Sequence, residues 1–297
     1  MNNITLAEKY QPLVDEVFKK ELLTKGLESG DVRFDGSQTV KIMRLTLPKG
    51  LSDHTRGGGF TRGDLSVAWE TWKLTQDRDK ELFVDAMDNE ETLDLTFGKA
   101  SSEFIRTVSA PEVDMYRFAT LASTKNITKH NEVFTSGEKI MEAIARDMAQ
   151  MDDDEVPEEG RILYITSNAL TSIEQLDTYK SREALKKFAK IVKVPTSRFV
   201  DSVKKDTDGS LIKGDSANTL NYLIVYPQAV QAVAKHRKLR VFSPDENQDD
   251  DGYKFQYRLY HDIFTYENKV AGICASIAST ASTSSGTEQT DNNDNES

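Results

Sequence analysis

The spacing of apolar residues changes period several times along the chain, and each change predicts an element. Tyr10, Leu13, Val14, Val17, Phe18 and Leu22 recur at steps of three and four, with Thr5 and Glu8 placed as a capping box, which predicts an amphipathic N-terminal helix. From 32 to 47 the period falls to two: Val40, Ile42 and Arg44 share one parity, and Lys41, Met43, Leu45 and Leu47 the other. A second alternating stretch, 65–77, sets Leu65, Val67, Trp69 and Thr71 against Ser66, Ala68 and Glu70. The connection 48–64 holds Gly57, Gly58, Gly59 and Gly63 and is too long for a tight turn, so the strands predict a long hairpin with a mobile tip. A two-stranded ribbon is marginal alone in water and needs a surface to lie upon.

Helical spacing returns after Asp88, with Leu93, Phe97, Ala100, Phe104 and Val108 in step and Asp88, Glu90 and Glu91 in the first turn, where the helix dipole favours acids. Pro111 reads as an interruption, after which Val113, Tyr116 and Ala119 resume a helix over 112–121. Another helix is predicted over 138–151, capped by Thr135 with Glu138 and striped by Ile140, Ile144, Met148 and Met151. Beyond Pro157 short apolar runs alternate with helical stretches: strand 161–166, helix 168–176, a polar connection, strands 190–194 and 222–226, helix 227–236 and strand 239–242. A loop over 245–252 precedes closing strands at 254–260, 263–266 and 270–275. This texture predicts a small sheet covered by helices, and the polar residues from Ser276 onward predict a disordered tail.

Composition narrows the class. The chain has 38 Lys and Arg against 49 Asp and Glu, a formal net charge of −11, which argues against a general nucleic-acid binder. Its single cysteine, Cys274, excludes an intrachain disulfide and a cysteine-based zinc site, reads as a small core residue, and suits a reducing compartment. No apolar run is long enough to span a membrane and no secretory leader opens the sequence, so no membrane association is expected.

Candidate chemistry is sparse. The glycine cluster fits neither common phosphate-loop pattern and reads as the hairpin tip. His54, His130, His236 and His261 lack the spacing of a helical metal pair and read as surface or capping histidines. His261 and Asp262, adjacent on a strand, should point apart and make a poor acid–base pair. Neither Asp152–Glu155 nor the acidic loop near Asp249 matches a calcium loop, and no cofactor or metal site is expected. Charge is nevertheless segregated. From Thr39 to Gly63, Lys41, Arg44, Lys49, Arg56 and Arg62 face only Asp53, whereas 151–159 holds Asp152, Asp153, Asp154, Glu155 and two further acids with no base. A cationic ribbon on an anionic body is what complementary self-association requires, and these residues are the candidate inter-subunit contacts.

Several short stretches, in this order, resemble tailed-bacteriophage major capsid proteins of the Hong Kong 97-type fold. They are Phe34 to Ile42, Arg56 to Phe60, Leu74 to Lys80, Val84 to Asp88, Glu90 to Thr92, Phe104 to Thr107, Pro111 to Asp114, Phe242 to Pro244, Tyr257 to Asp262 and Glu267 to Val270. Their collinear order carries the resemblance, which spans about Thr5 to Ser276.

The resemblance implies an α+β Hong Kong 97-type fold divided as follows: 1–31 an N-arm, 32–86 an extended E-loop hairpin with flanking strands, 87–155 a peripheral P domain with its spine helix, and 156–253 an axial α/β A domain. It further implies P-domain return strands at 254–269, an A-domain closing strand at 270–276 and a polar tail at 277–297. The implied function is that of a non-enzymatic coat protein, made in the host bacterial cytoplasm and residing in the virion capsid. It would self-assemble into hexamers and pentamers of an icosahedral shell around double-stranded DNA, which it would touch weakly and nonspecifically. Implied partners are other copies of itself, a separate scaffolding protein, a portal protein and decoration proteins. An encapsulin-type nanocompartment shell shares the fold, and an α/β enzyme with a site between Arg161 and Phe242 is the reading from another class.

Overall fold

The computed structural model describes residues 21–28, 33–35, 39–46, 50, 53, 66–85, 101–176, 178–247 and 251–279. The predicted N-terminal helix lies outside them except for its last two residues, and so do the hairpin tip with its glycines, the first part of the helix expected after Asp88, and the tail beyond Ser279.

Two sheets organise the body. In the first, β5 (Thr128–Asn131), β13 (Ile273–Ile277), β10 (Leu220–Val225), β6 (Ile162–Thr166) and β7 (Lys190–Val194) lie side by side in that order. β10 runs antiparallel to both neighbours, while β6 is parallel to β7 and β13 to β5. Both faces are covered, so the central strands read as unbroken apolar runs. On one face Leu163, Ile165, Ile224 and Cys274 meet Ile140, Ile144 and Met148 of α2 (Gly137–Asp153), with Leu170 and Ile173 of α3 (Ser167–Glu174). On the other, Tyr164, Leu223 and Val225 meet Phe118, Leu121 and Ala122 of α1 (Ala110–Ser123).

The second sheet is β11 (Val230–Phe242), β12 (Gly252–Thr265) and β4 (Gln76–Asp85), antiparallel throughout. Val241, Phe255, Tyr257 and Leu259 pack there against Phe104, Ile105 and Val113, so a single helical rod running through 101–123 bridges both sheets. The expected break at Pro111 does not occur: Phe104, Ser109 and Ala110 all hold right-handed helical backbone. A π-turn over Ile105–Ser109 widens the ladder just before the proline, whose missing N–H and bulky ring are then accommodated near the start of α1.

Other expectations are corrected in detail. Segment 227–236 is no helix; a short 3₁₀ turn, Pro227–Ala229, leads straight into β11, whose long pairing with β12 overrides its alanine-rich composition. The strands expected at 254–260 and 263–266 are one continuous strand, β12, and the closing strand begins at Ile273 after a 3₁₀ turn. Ser276 and Ile277 belong to that strand and are buried, so no tail begins there. The stretch expected as one strand over 65–77 divides into β3 (Ser66–Lys73) and the start of β4. The connection after 176 contains α4 (Tyr179–Lys186). The cap of α2 is Ser136, not Thr135: Ser136 has the extended backbone of a cap, and its Oγ accepts from the Lys139 N–H.

Candidate assembly surface

The hairpin forms as its alternation predicts. β2 (Thr39–Thr46) and β3 pair antiparallel from Thr39↔Lys73 to Thr46↔Ser66, and β1 (Arg33–Asp35) adds a third strand beside β2. Its root is fastened to the body. Val40 and Leu74 are buried with Val233 and Tyr260, and the Trp72 ring lies 4.7 Å from that of Phe264 and 5.3 Å from that of Tyr266. Farther out this anchoring ceases: Val67 and Trp69 are 51% and 52% exposed. Eight residues of strand reach about 27 Å. The ribbon thus carries a large aromatic and a β-branched side chain away from the only surface its own chain offers among the described residues.

The candidate cations divide. Lys41 is answered within the ribbon by Asp35, Nζ to Oδ2 2.5 Å. Arg44 stands opposite Ala68 in the β2–β3 register. Lys49, Arg56 and Arg62 fall outside the described residues.

The candidate acids sit at the C-terminal end of α2, where the helix dipole disfavours negative charge. Asp152 is engaged within the chain: its Oδ1 accepts from Nη2 of Arg161 at 2.6 Å. Arg161 is fully buried and also donates to the carbonyls of Val156 and Pro157, so the pair closes the turn after α2. Asp153 and Glu155 are exposed, Glu155 with a positive φ of 58°. Asp154 caps the helix and accepts from Gln150. Among the described residues no ion pair joins this corner to the ribbon of the same chain.

Two buried polar clusters were not anticipated. Asp114, fully buried on α1, accepts from the backbone N–H groups of Leu23 and Thr24 and from the Thr24 hydroxyl, at 3.1, 3.1 and 2.8 Å. Burial pushes the Asp114 carboxyl up from its ordinary value. Arg117, one helical turn on, donates to Thr24 Oγ1 at 2.9 Å and to Glu28 Oε1 at 2.8 Å. The second cluster is centred on Asp262. Its Oδ2 accepts from both the N–H and the hydroxyl of Thr75 at 2.8 Å, and its Oδ1 from the Tyr116 hydroxyl at 2.9 Å and the Ile263 N–H at 2.8 Å. A signal for the first was present in the sequence: Asp114 and Arg117 share the helical stretch of Val113, Phe118 and Leu121, where a solvated face was not available to them.

The expectation of surface histidines fails at His261, which is fully buried with both ring nitrogens lacking a hydrogen-bond partner. It packs edge-on to Tyr116, at 5.3 Å between ring centroids, and borders a groove of about 430 Å³ between β4 and the helix. Burial, with the positive charges of Arg117 and Arg78 nearby, pushes it down to about 3. Cys274 is buried in β13 as expected, and burial pushes its thiol up to about 12. Among the described residues no three His, Cys, Asp or Glu side chains are grouped to hold a metal ion, and no helix is long and apolar enough to cross a membrane.

An extended hairpin, a long helix bridging two sheets, and a mixed sheet covered on both faces make up a fold of the Hong Kong 97 type, as the sequence resemblance implied. Solved structures agree. The chain is similar to the virus-like particle from Pyrococcus furiosus, with a TM-score of 0.59 and 12% identity over 91% of this chain and 98% of that one. It is similar to the capsid of cyanophage P-SCSP1u, with a TM-score of 0.57 and 14% identity over 84% and 85%. The capsid of Staphylococcus phage Andhra gives 0.54 and 10% identity over 85% and 83%. No family model matches the chain, and neither does any curated protein sequence. The likeness is therefore one of fold, spread over more than four fifths of the chain in each case.

Proposed function

We propose that this chain is the major capsid protein of a tailed bacteriophage, a structural rather than catalytic subunit. It assembles into the hexamers and pentamers of an icosahedral shell around double-stranded DNA. The observation that carries the reading is the hairpin: a ribbon rooted firmly in the body whose outer half holds Val67 and Trp69 in water until a neighbouring copy covers them. The fold shared with the phage capsids supports it. So does the net charge of −11, since a lining that bound DNA strongly would hinder packaging. On this reading the protein is made in the host bacterial cytoplasm and resides in the virion capsid. It works with a separate scaffolding protein, a portal and decoration proteins, and it touches DNA weakly. Arg44, Lys49, Arg56 and Arg62 steer the ribbon toward acids of the next copy, with Asp153, Asp154 and Glu155 as the exposed candidates and Lys41 and Asp152 held mainly by their own chain.

The double variant Arg56→Glu, Arg62→Glu tests the ribbon's role. We expect the unassembled subunit to melt as the unmodified protein does, while closed particles disappear from negative-stain images. A normal particle yield would remove charge from the docking model.

The likeness to the Pyrococcus furiosus particle favours a second reading, an encapsulin-type nanocompartment shell. The contents of purified particles separate the two: DNA for the capsid, a packaged protein for the compartment.

A further inference from the structure

The outward segments of this subunit are set by one turn of one helix. We propose that Asp114–Arg117 of α1 is a registration device that fixes, before any neighbour arrives, the directions in which the arm and the hairpin leave the body, with Asp262 positioning the hairpin. The inference rests on the shell reading.

Only Leu74 and Thr75 separate the last ribbon residue, Lys73, from the first residue of β4, Gln76. Whatever holds those two residues sets the angle between ribbon and body. Leu74 is buried against Val40, Val233 and Tyr260. Thr75 gives both of its donors to a single oxygen of Asp262, and the other oxygen takes the Tyr116 hydroxyl and the Ile263 N–H. Asp262 is 3% exposed, and its two oxygens together accept four hydrogen bonds. Such bonds are directional, and rotating the corner breaks two at once.

The arm is held by adjacent residues of the same helix. Leu23 and Thr24 bond to Asp114, and Thr24 and Glu28 to Arg117, whose guanidinium is fully buried. Buried charged clusters often contribute less stability than well-packed apolar residues of the same volume would, and in some proteins what they supply instead is a unique geometry. Here that geometry ties the 3₁₀ turn Leu23–Leu27 and the root of the ribbon to positions 114, 116 and 117 of one rigid rod. Every copy then enters assembly with the roots of its arm and its ribbon in the same relation to the body.

Thr75→Val and Tyr116→Phe each delete hydroxyl bonds to Asp262 with little change in shape. Both variants, Thr75→Ser, and a control such as Ile173→Val at the α3 core would be compared with the unmodified protein by electron microscopy, melting and amide exchange of the unassembled subunit. Ile173 is buried against the far face of the first sheet, away from both clusters. The expected result is particles of mixed size and open forms from Thr75→Val and Tyr116→Phe, with uniform shells from Thr75→Ser and from the control. In the subunit, the Thr75 amide should exchange at least about tenfold faster in Tyr116→Phe, with β13 unchanged. Uniform shells from both variants, or equal irregularity from the control, would overturn the proposal, as would unchanged exchange at Thr75. If the unmodified protein makes no shells, the shell reading fails, while amide exchange still decides whether Tyr116 and Asp262 hold the corner.

Discussion

His261 shows how a side chain's surroundings outweigh its type. A histidine on a polar-looking strand reads as a surface residue, yet here it is enclosed between β12 and α1, edge-on to Tyr116, with Arg78 and Arg117 nearby and Asp262 next to it in the chain. Its affinity for a proton is lowered from an ordinary value of 6.5 to about 3, so between those values the unfolded chain binds more protons than the folded one. Stability from this residue is therefore complete above about pH 6.5 and is lost as pH falls toward 3, by at most about 1.4 kcal/mol per pH unit. Asp114, raised by burial, acts in the opposite sense just above 3.8. Replacing His261 by Leu removes two unpartnered buried nitrogens at small cost in volume. Urea unfolding should find His261→Leu within about 1 kcal/mol of the unmodified protein at pH 7, and less sensitive to acidification between pH 6.5 and 4. An unchanged acid sensitivity would assign the loss to other groups. Cys274 was legible because a lone apolar-run cysteine has few alternatives, whereas the burial of His261 depends on a helix far away in sequence.

At the scale of elements, periodicity was a good guide where one face packs and the other is wet. The stripe of α2 was readable for that reason, and only its cap was misplaced, because Thr135 and Ser136 are both capping residues and backbone geometry chooses between them. Strand β4 was readable only at its start: the alternating stretch was read to Asp77, and Arg78, Asp79, Lys80 and Glu81 carry no apolar alternation, yet they continue the outer strand of a sheet, where charge is tolerated. Strand β11 was misread for the converse reason, since helix-forming alanines there are held extended by pairing that no local pattern records. One helix contact carries a sharp expectation. A Cβ on Gly137, at the start of α2, would stand 2.1 Å from the backbone oxygen of Ser172 in α3. Gly137→Ala should therefore cost about 2–4 kcal/mol in urea unfolding, because backbone must move to admit it. A loss below about 1 kcal/mol would show that α2 and α3 part easily.

For the whole molecule, the collinear short stretches made the fold legible, while the charge map did not record which charges are already paired within the chain. Asp152 and Lys41 counted toward a contact between copies, yet each has a partner in its own chain, Arg161 and Asp35. Sequence distance hid the first pairing, because the turn after α2 brings Arg161 under the acids. On the proposed reading, what remains for a neighbour is the exposed part of the ribbon around Val67 and Trp69 and the exposed acids Asp153, Asp154 and Glu155 at the end of α2. Electron cryo-microscopy of the protein purified from expressing cells, alone and with a co-expressed scaffolding protein as proposed, tests the assembly reading most directly. The account predicts closed shells built from rings of five and six subunits, with the ribbon of each lying on the next and Trp69 covered. A protein that stays monomeric under all these conditions, or particles in which the ribbon and Trp69 remain bare, would contradict it.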